Sequence, residues 1–174
     1  MKKIDNILLA KLRQIKFLGL DFDGVLTDGK VVLQEDGKES VVCSRKDGFG
    51  LNLLKNYENI KISIISSETN RVVLARCQKL KIECVGGELN KLNVFKKILD
   101  RENIQPNEAA FIGDDLNDVE CLLYAGIAFT VNDAHQSCKD VADYVTVRAG
   151  GDHAVREVCD LILAAREGAK NDKH

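Results

Sequence analysis

The sequence predicts an α/β fold: a Rossmann-like, three-layer α/β/α domain on a central parallel sheet. Three observations predict it. Short apolar runs of four to six residues recur along the chain, separated by segments with helical spacing. Acidic clusters stand directly after two of those runs, at the strand ends where open parallel sheets gather their ligands. The chain's 174 residues, 45% apolar and 30% charged, suffice for one domain (1–174) with a substantial core and argue against disorder.

At the amino end Ile4, Ile7, Leu8, Leu12 and Ile15 recur at helical spacing. Lys11 and Arg13 interrupt what would be the apolar stretch of a signal peptide, so the segment reads as a short amphipathic helix. Phe17–Leu20 is the first strand, followed by Ile60–Ile65, Ile82–Val85, Ala109–Ile112, Ile127–Val131 and Tyr144–Val147. Helical patterns cover Gly48–Tyr57, Thr69–Leu80, Lys91–Asn103, Asn117–Tyr124 and His153–Ala165. Residues 31–43 break the alternation: β-branched residues flank a polar centre holding Asp36-Gly37, which predicts a β-hairpin flap. Residues 166–174 read as a polar tail.

Bulk properties exclude several classes. With 25 basic and 27 acidic side chains the net charge is −2, which gives no electrostatic case for nucleic acid. No apolar run approaches the ~20 residues of a membrane helix. The six cysteines form no Cys-x-x-Cys pair and fall inside apolar patterns, as reduced thiols of a cytoplasmic protein do.

Chemistry concentrates after the first and fourth strands. Asp21 and Asp23 follow Leu20, and Gly113-Asp114-Asp115-Leu116-Asn117-Asp118 follows Ile112. On adjacent parallel strands, Asp21, Asp23, Asp114 and Asp115 would crowd one edge. Unit charges ~4 Å apart repel by ~4 kcal/mol at an effective dielectric near 20. A hard divalent cation relieves that repulsion, and magnesium (Mg2+) prefers carboxylates and water. A calcium EF-hand is excluded, because its glycine and glutamate positions hold Leu26 and Val32. Ser66 and Ser67 stand between a strand and a helix, where hydroxyl and N–H groups face an anion. Lys91 opens the next helix, a cation able to bridge phosphate and nucleophile.

The order Asp21-x-Asp23, Ser66, Lys91 and Gly113-Asp114-Asp115-x-x-Asp118 resembles the four motifs of the haloacid dehalogenase (HAD) superfamily. The string Asp23-Gly24-Val25-Leu26-Thr27-Asp28-Gly29 is similar to the KDO 8-phosphate phosphatase family. So are Lys46-Asp47-Gly48-Phe49-Gly50 and Ala149-Gly150-Gly151 through Ala154-Val155-Arg156-Glu157. The resemblance spans about Phe17 to Leu163. It implies a Mg2+-dependent phosphomonoesterase in which Asp21 forms a phosphoaspartate and Asp23 is acid, then base. Asp21, the Asp23 carbonyl and Asp114 would hold the metal, and Asp115 and Asp118 would order its surroundings. Ser66 and Lys91 would bind the phosphoryl oxygens.

The spacing leaves no room for a cap domain: Thr27 to Ile65 holds only a hairpin, a helix and a strand. A neighbouring subunit would shield the site instead, and the resemblance implies a homotetramer joined through the flaps. KDO 8-phosphate phosphatases carry Thr-Gly-Arg where this chain has Ser66-Ser67-Glu68. Nine-carbon relatives carry a glutamate there and a lysine eleven residues on, matched by Glu68 and Lys79, while Arg76 matches both groups. The expected substrate is therefore a nine-carbon nonulosonate 9-phosphate, with KDO 8-phosphate as the alternative. A non-enzymatic alternative is an oligomerisation module of a sialate-activation system. Arg76 and Lys79 share a helix face ~12–16 Å from Glu68, so they are expected to reach a neighbouring subunit's substrate. Arg45-Lys46 and Asp152-His153 depart from the family pattern, which makes Lys46 a candidate substrate contact.

Overall fold

The computed structural model describes residues 5–87 and 89–171. Ile4 of the amino-terminal pattern lies outside them. The chain opens with α1 (Asn6–Gln14) and β1 (Phe17–Leu20), then the flap strands β2 (Val32–Leu33) and β3 (Glu39–Ser40). There follow α2 (Arg45–Tyr57), β4 (Lys61–Ile65), α3 (Arg71–Leu80), β5 (Glu83–Val85), α4 (Lys91–Glu102) and β6 (Ala109–Gly113). α5 (Val119–Tyr124), β7 (Ile127–Thr130), α6 (Gln136–Val141), β8 (Tyr144–Val145) and α7 (Ala154–Asn171) complete it.

Six parallel strands stand in the order β5-β4-β1-β6-β7-β8. β1 is the strand from which the chain first builds to one side, through β4 and β5, and then crosses to the other. In register, Leu20 pairs Ile64 on one neighbour and Ile112 on the other, so the three strands end together. Their carboxyl ends flank the crevice in which such sheets bind ligands. β1, β6 and β7 are buried along their length, as strands covered on both faces must be. One face carries a cluster of Leu12, Leu51, Leu54, Val73, Cys77, Val158 and Ile162 from α1, α2, α3 and α7. The other carries Val94, Phe95, Ile98, Cys121, Leu122 and Cys138 from α4, α5 and α6.

Helix starts follow their caps. Asp5, Ser44, Asn70 and Asn90 each accept a backbone N–H of the first turn of α1, α2, α3 and α4. The Ser44 cap starts α2 at Arg45, three residues before the apolar pattern suggests. α6 was not expected: it is six residues long with one buried side chain, Cys138, so it leaves almost no periodic signal. The flap is shorter than residues 31–43: only Val32–Ser40 and Leu33–Glu39 pair.

The expected polar tail is corrected for residues 166–171, which continue α7, while 172–174 lie outside the described residues. Arg166 accounts for the difference. Its guanidinium donates to the Glu58 carbonyl at 3.2 Å, pairs with Glu58 Oε2 at 3.1 Å and also donates to the Ile15 carbonyl. Those partners lie in distant loops, and no local pattern announces them. All six cysteines are free thiols. Among the described residues, no helix is long and apolar enough to cross a membrane.

Candidate active site

Asp21 is the first residue past β1, and its N–H donates to the Ile112 carbonyl at 3.0 Å, which ties the loop to β6. Oδ1 of its carboxylate accepts the Phe22 N–H at 2.7 Å, and Oδ2 lies 2.8 Å from Lys91 Nζ. Lys91 begins α4 on the far side of the sheet edge and is only 1% exposed. Its second partner is Asp118, also at 2.8 Å. Asp118 Oδ2 accepts the N–H groups of Asp114 and Asp115 at 3.0 and 3.4 Å. Asp118 is thus a fully buried brace that shapes the turn after β6 and holds Lys91 in line with Asp21.

Asp114 completes the cluster. Carboxylate oxygens of Asp21, Asp114 and Asp118 lie within 4.8 Å of one another. With all three carboxylates ionised, as metal binding requires, the one ammonium leaves two negative charges, the amount a divalent cation neutralises. Burial, with Asp21 and Asp118 adding repulsion, pushes the Asp114 carboxyl up to about 8. Burial raises Asp21 too, Asp118 adding to the rise and Lys91 opposing it. Burial alone would lower the Lys91 pKa, but Asp21 and Asp118 outweigh it and raise it above the usual lysine range. Asp114 Oδ1 is buried with no hydrogen-bond partner. A buried carboxylate oxygen without a donor is costly, and a cation held between Asp21 and Asp114 would satisfy it. The residues present fit a magnesium ion.

Asp23 is half-buried; Thr27 Oγ1 donates to its Oδ1 at 3.4 Å and accepts the Gly24 and Gly29 N–H groups at 3.2 Å each. Burial lifts the Asp23 pKa, Thr27 pulls it down, and the charges of Glu68 and Glu39 push it up. Gly24 is required twice: its φ is +79°, and a Cβ there would stand 2.0 Å from Asp114 Oδ2. Ser66 follows β4, is 1% exposed, and its Oγ accepts the Glu68 N–H at 3.1 Å. Ser67 Oγ accepts Asn117 Nδ2 at 3.3 Å, joining this loop to the turn after β6.

The structure thus brings Asp21, Lys91, Asp114 and Asp118 into direct contact range, with Asp23 and Ser66 on the flanking loops. Asp115 is exposed and caps the turn through the Leu116 N–H, ordering that loop, and its charge acts on Asp114, while the Asp118 carboxylate is the one that joins the cluster. Glu68 lines a cavity of about 190 Å³ that also contains Asp23. Arg76 is partly buried. Its Nη2 donates to the Ser44 carbonyl at 2.8 Å and its Nε is buried, because the guanidinium packs under the start of α2. Lys79 is exposed in the last turn of α3, the end remote from Glu68. Lys46 lines a separate hollow of about 820 Å³ with Arg148, His153 and Arg156, in which none of the site carboxylates appears.

Other residues that shape the site escape a motif reading. Thr130 Oγ1 donates to the Gly113 carbonyl at 2.6 Å, and the His135 N–H donates to the Asp114 carbonyl at 2.8 Å. Asp47 is fully buried and accepts the Arg156 N–H at 2.8 Å, pinning α7 to α2. Only Asp47 carried a signal, as part of the Lys46-Asp47-Gly48-Phe49-Gly50 string.

A family model described as haloacid dehalogenase-like hydrolase matches residues 51–158. The 3-deoxy-D-manno-octulosonate 8-phosphate phosphatase of Salmonella typhi is 39% identical over 164 residues, 94% of this chain and 87% of that protein. The crystal structure of the phosphatase of that name from Moraxella catarrhalis, in complex with magnesium, phosphate and KDO, is 31% identical. It matches with a TM-score of 0.90 and covers 98% of this chain and 100% of that one. The cobalt-bound deoxy-D-mannose-octulosonate 8-phosphate phosphatase from Haemophilus influenzae matches at 0.86 and 31% identity, covering 90% and 92%. The chain belongs to the haloacid dehalogenase-like hydrolases and, within them, to the 3-deoxy-D-manno-octulosonate 8-phosphate phosphatase family.

Proposed function

We propose that this phosphatase releases phosphate from 3-deoxy-D-manno-octulosonate 8-phosphate through a phosphoaspartate on Asp21, with magnesium as its cofactor. The observation that carries the reading is the buried Asp21–Lys91–Asp118 chain beside the unpartnered Asp114 oxygen. Unaided phosphate monoester hydrolysis is so slow that the site must lower the barrier by ~20 kcal/mol or more.

In the first step a carboxylate oxygen of Asp21 attacks phosphorus, the bond to the sugar oxygen breaks, and Asp23 gives that oxygen its proton. The raised pKa of Asp23 suits a group that must arrive protonated. In the second step a water attacks phosphorus, Asp23 takes its proton, and the bond to Asp21 breaks. Contacts to the Phe22 N–H and Lys91 hold Asp21 in one orientation throughout. Lys91 and the Ser66 hydroxyl face the charge that spreads over the phosphoryl oxygens. Asp21, Asp114 and the Asp23 carbonyl would hold magnesium, which supplies the positive charge that lets an anionic nucleophile approach an anionic ester.

For the sugar, the relatives favour the eight-carbon acid over the nine-carbon one that Glu68 and Lys79 suggest from sequence. Glu68 borders the cavity beside Asp23, whereas Lys79 is at the far end of α3, so only half of that pair supports a nine-carbon chain. The same reading includes an oligomer, expected as a tetramer. Its support is the missing cap and a flap whose Val32, Leu33 and neighbouring Val42 are 64%, 67% and 78% exposed.

The test is phosphate release from sugar acid phosphates of different carbon length, with magnesium or with chelator. The eight-carbon ester should give the highest kcat/KM, chelation should stop turnover, and Asp21→Asn should lower kcat by about 10³-fold or more. Clear preference for a nine-carbon ester would replace the eight-carbon assignment, and full activity of the Asp21→Asn protein would end the mechanism.

A further inference from the structure

Asp47 lies in the first turn of α2 and is fully buried. Its Oδ1 accepts the Arg156 N–H at 2.8 Å, and its Oδ2 is buried without a hydrogen-bond partner. Arg156 is the third residue of α7, so its N–H is one of those that a helix start leaves unpaired. Asp47 thus caps α7 from a different helix, 109 residues away in sequence. Burial lifts its pKa, and the Arg156 N–H, His153 and Arg76 act in the opposite direction.

Packing alone does not ask for a carboxylate there. α2 and α7 already bury Leu51, Leu54, Val155, Val158 and Ile162 in one apolar cluster. A buried carboxylate with one oxygen unpaired costs stability that an apolar side chain of similar volume would not. What the carboxylate adds is direction: its hydrogen bond fixes where the first turn of α7 stands.

The segment that enters α7 lies against the loop of the proton donor. The Gly151 N–H donates to the Val25 carbonyl at 3.0 Å. Gly150 packs so closely on the Gly24 and Thr27 carbonyls that a Cβ would meet both. Gly24 follows Asp23 directly, and Thr27 Oγ1 donates to Asp23 Oδ1 at 3.4 Å. Only four residues separate Gly151 from Arg156, so a shift at the start of α7 reaches the backbone beside Asp23. A proton donor is sensitive to such a shift, because a misplacement of ~1 Å can cost about 10²-fold in rate.

We infer that Asp47 is a positioning residue for Asp23: its hold on Arg156 sets the Gly150–Gly151 turn, and that turn sets the loop from which Asp23 protonates the departing oxygen. The inference rests on the role of Asp23 proposed above and adds to it a fully buried residue that acts through the backbone.

The experiment measures kcat/KM for p-nitrophenyl phosphate and for phenyl phosphate, on the full chain with magnesium present. The two esters differ in the leaving group. p-Nitrophenol is the stronger acid and departs with little help, whereas phenol needs a proton. kcat/KM covers the steps up to that departure, so loss of the donor raises the ratio of the first constant to the second. Asp23→Asn calibrates that rise. Asp47→Leu keeps the volume and removes the acceptor, and its ratio should exceed that of wild type by about tenfold or more. Asp47→Asn keeps the acceptor at Oδ1 and should keep the wild-type ratio. A smaller rise in Asp47→Leu overturns the inference, because general loosening of the fold lowers both constants together. An equal rise in Asp47→Asn overturns it too. Should Asp47→Leu fail to fold, Asp47→Ala decides by the same ratio; if neither folds, Asp47 serves folding alone and the inference falls. A wild type that hydrolyses neither ester, or an Asp23→Asn protein with the wild-type ratio, sinks the mechanism above and this inference with it. A raised ratio in Asp23→Asn without one in Asp47→Leu sinks this inference alone.

Discussion

Lys91 is 1% exposed and sits 2.8 Å from carboxylate oxygens of both Asp21 and Asp118. Removing it strands two buried carboxylates, and breaking a buried pair in this way costs about 3–5 kcal/mol. Lys91→Ala should therefore lower the denaturant midpoint as well as abolish turnover, whereas Asp21→Asn should abolish turnover with a smaller stability change. Asp114 makes a pH prediction. Its folded pKa of about 8 lies above the ordinary 3.8, so between those values the folded state holds a proton that the unfolded state has lost. The stability this contributes is present below pH 3.8 and is lost as pH rises through about 8. Metal-free protein should lose Tm from pH 5 to pH 8 more steeply than Asp114→Asn, measured by thermal unfolding in chelator. Magnesium should raise the wild-type Tm more at pH 8 than at pH 5, because its ligands must be ionised to bind. Equal slopes for the two proteins would contradict the assignment of Asp114.

Three loops converge because elements of distant sequence press them together. The Gly150–Gly151 turn before α7 packs on the turn after Asp23, and the Gly151 N–H donates to the Val25 carbonyl at 3.0 Å. A Cβ on Gly150 would stand 1.8 Å from the Gly24 carbonyl oxygen, with no flexible side chain to yield. Gly150→Ala should thus cost about 1–3 kcal/mol in urea unfolding and should lower kcat by displacing Asp23. Helix α7 runs past the end that its apolar period predicts. Its buried stripe of Val155, Val158, Cys159, Ile162 and Ala165 is legible as a period, but Arg166 is held by Glu58 and Ile15. Hydrogen bonds to carbonyls more than 100 residues away leave no trace in local composition.

The parallel sheet sets β4, β1 and β6 side by side, so Ser66, Asp21 and Asp114 emerge at one edge although they come from three separate segments. The flap borders that edge: Val31, Glu39 and Val41 line the cavity that includes Asp23. The flap in turn exposes Val31, Val32 and Leu33 at 52%, 64% and 67%, a costly surface for a lone subunit. The oligomer proposed above predicts a solution mass that is a multiple of 19.3 kDa. A Val32→Asp, Leu33→Asp double variant should shift it toward one subunit in light scattering. A wild-type mass of one subunit would remove the oligomer from the proposal.

Alternating apolar runs and helical periods were enough to determine the α/β class, because a buried parallel strand and an amphipathic helix each need a continuous local pattern. The acidic clusters were legible for the same reason: Asp21, Asp23 and Asp114 directly follow such strands. Which carboxylates meet was settled only in three dimensions. Asp118 rather than Asp115 joins Lys91, because the turn after β6 faces one inward and leaves the other in solvent. Likewise Glu39 lies beside Asp23, and Arg76 is spent on α2, through contacts 31 and 32 residues apart in sequence. Partners chosen by the packing of whole elements carry no local signature, and so they had to be seen.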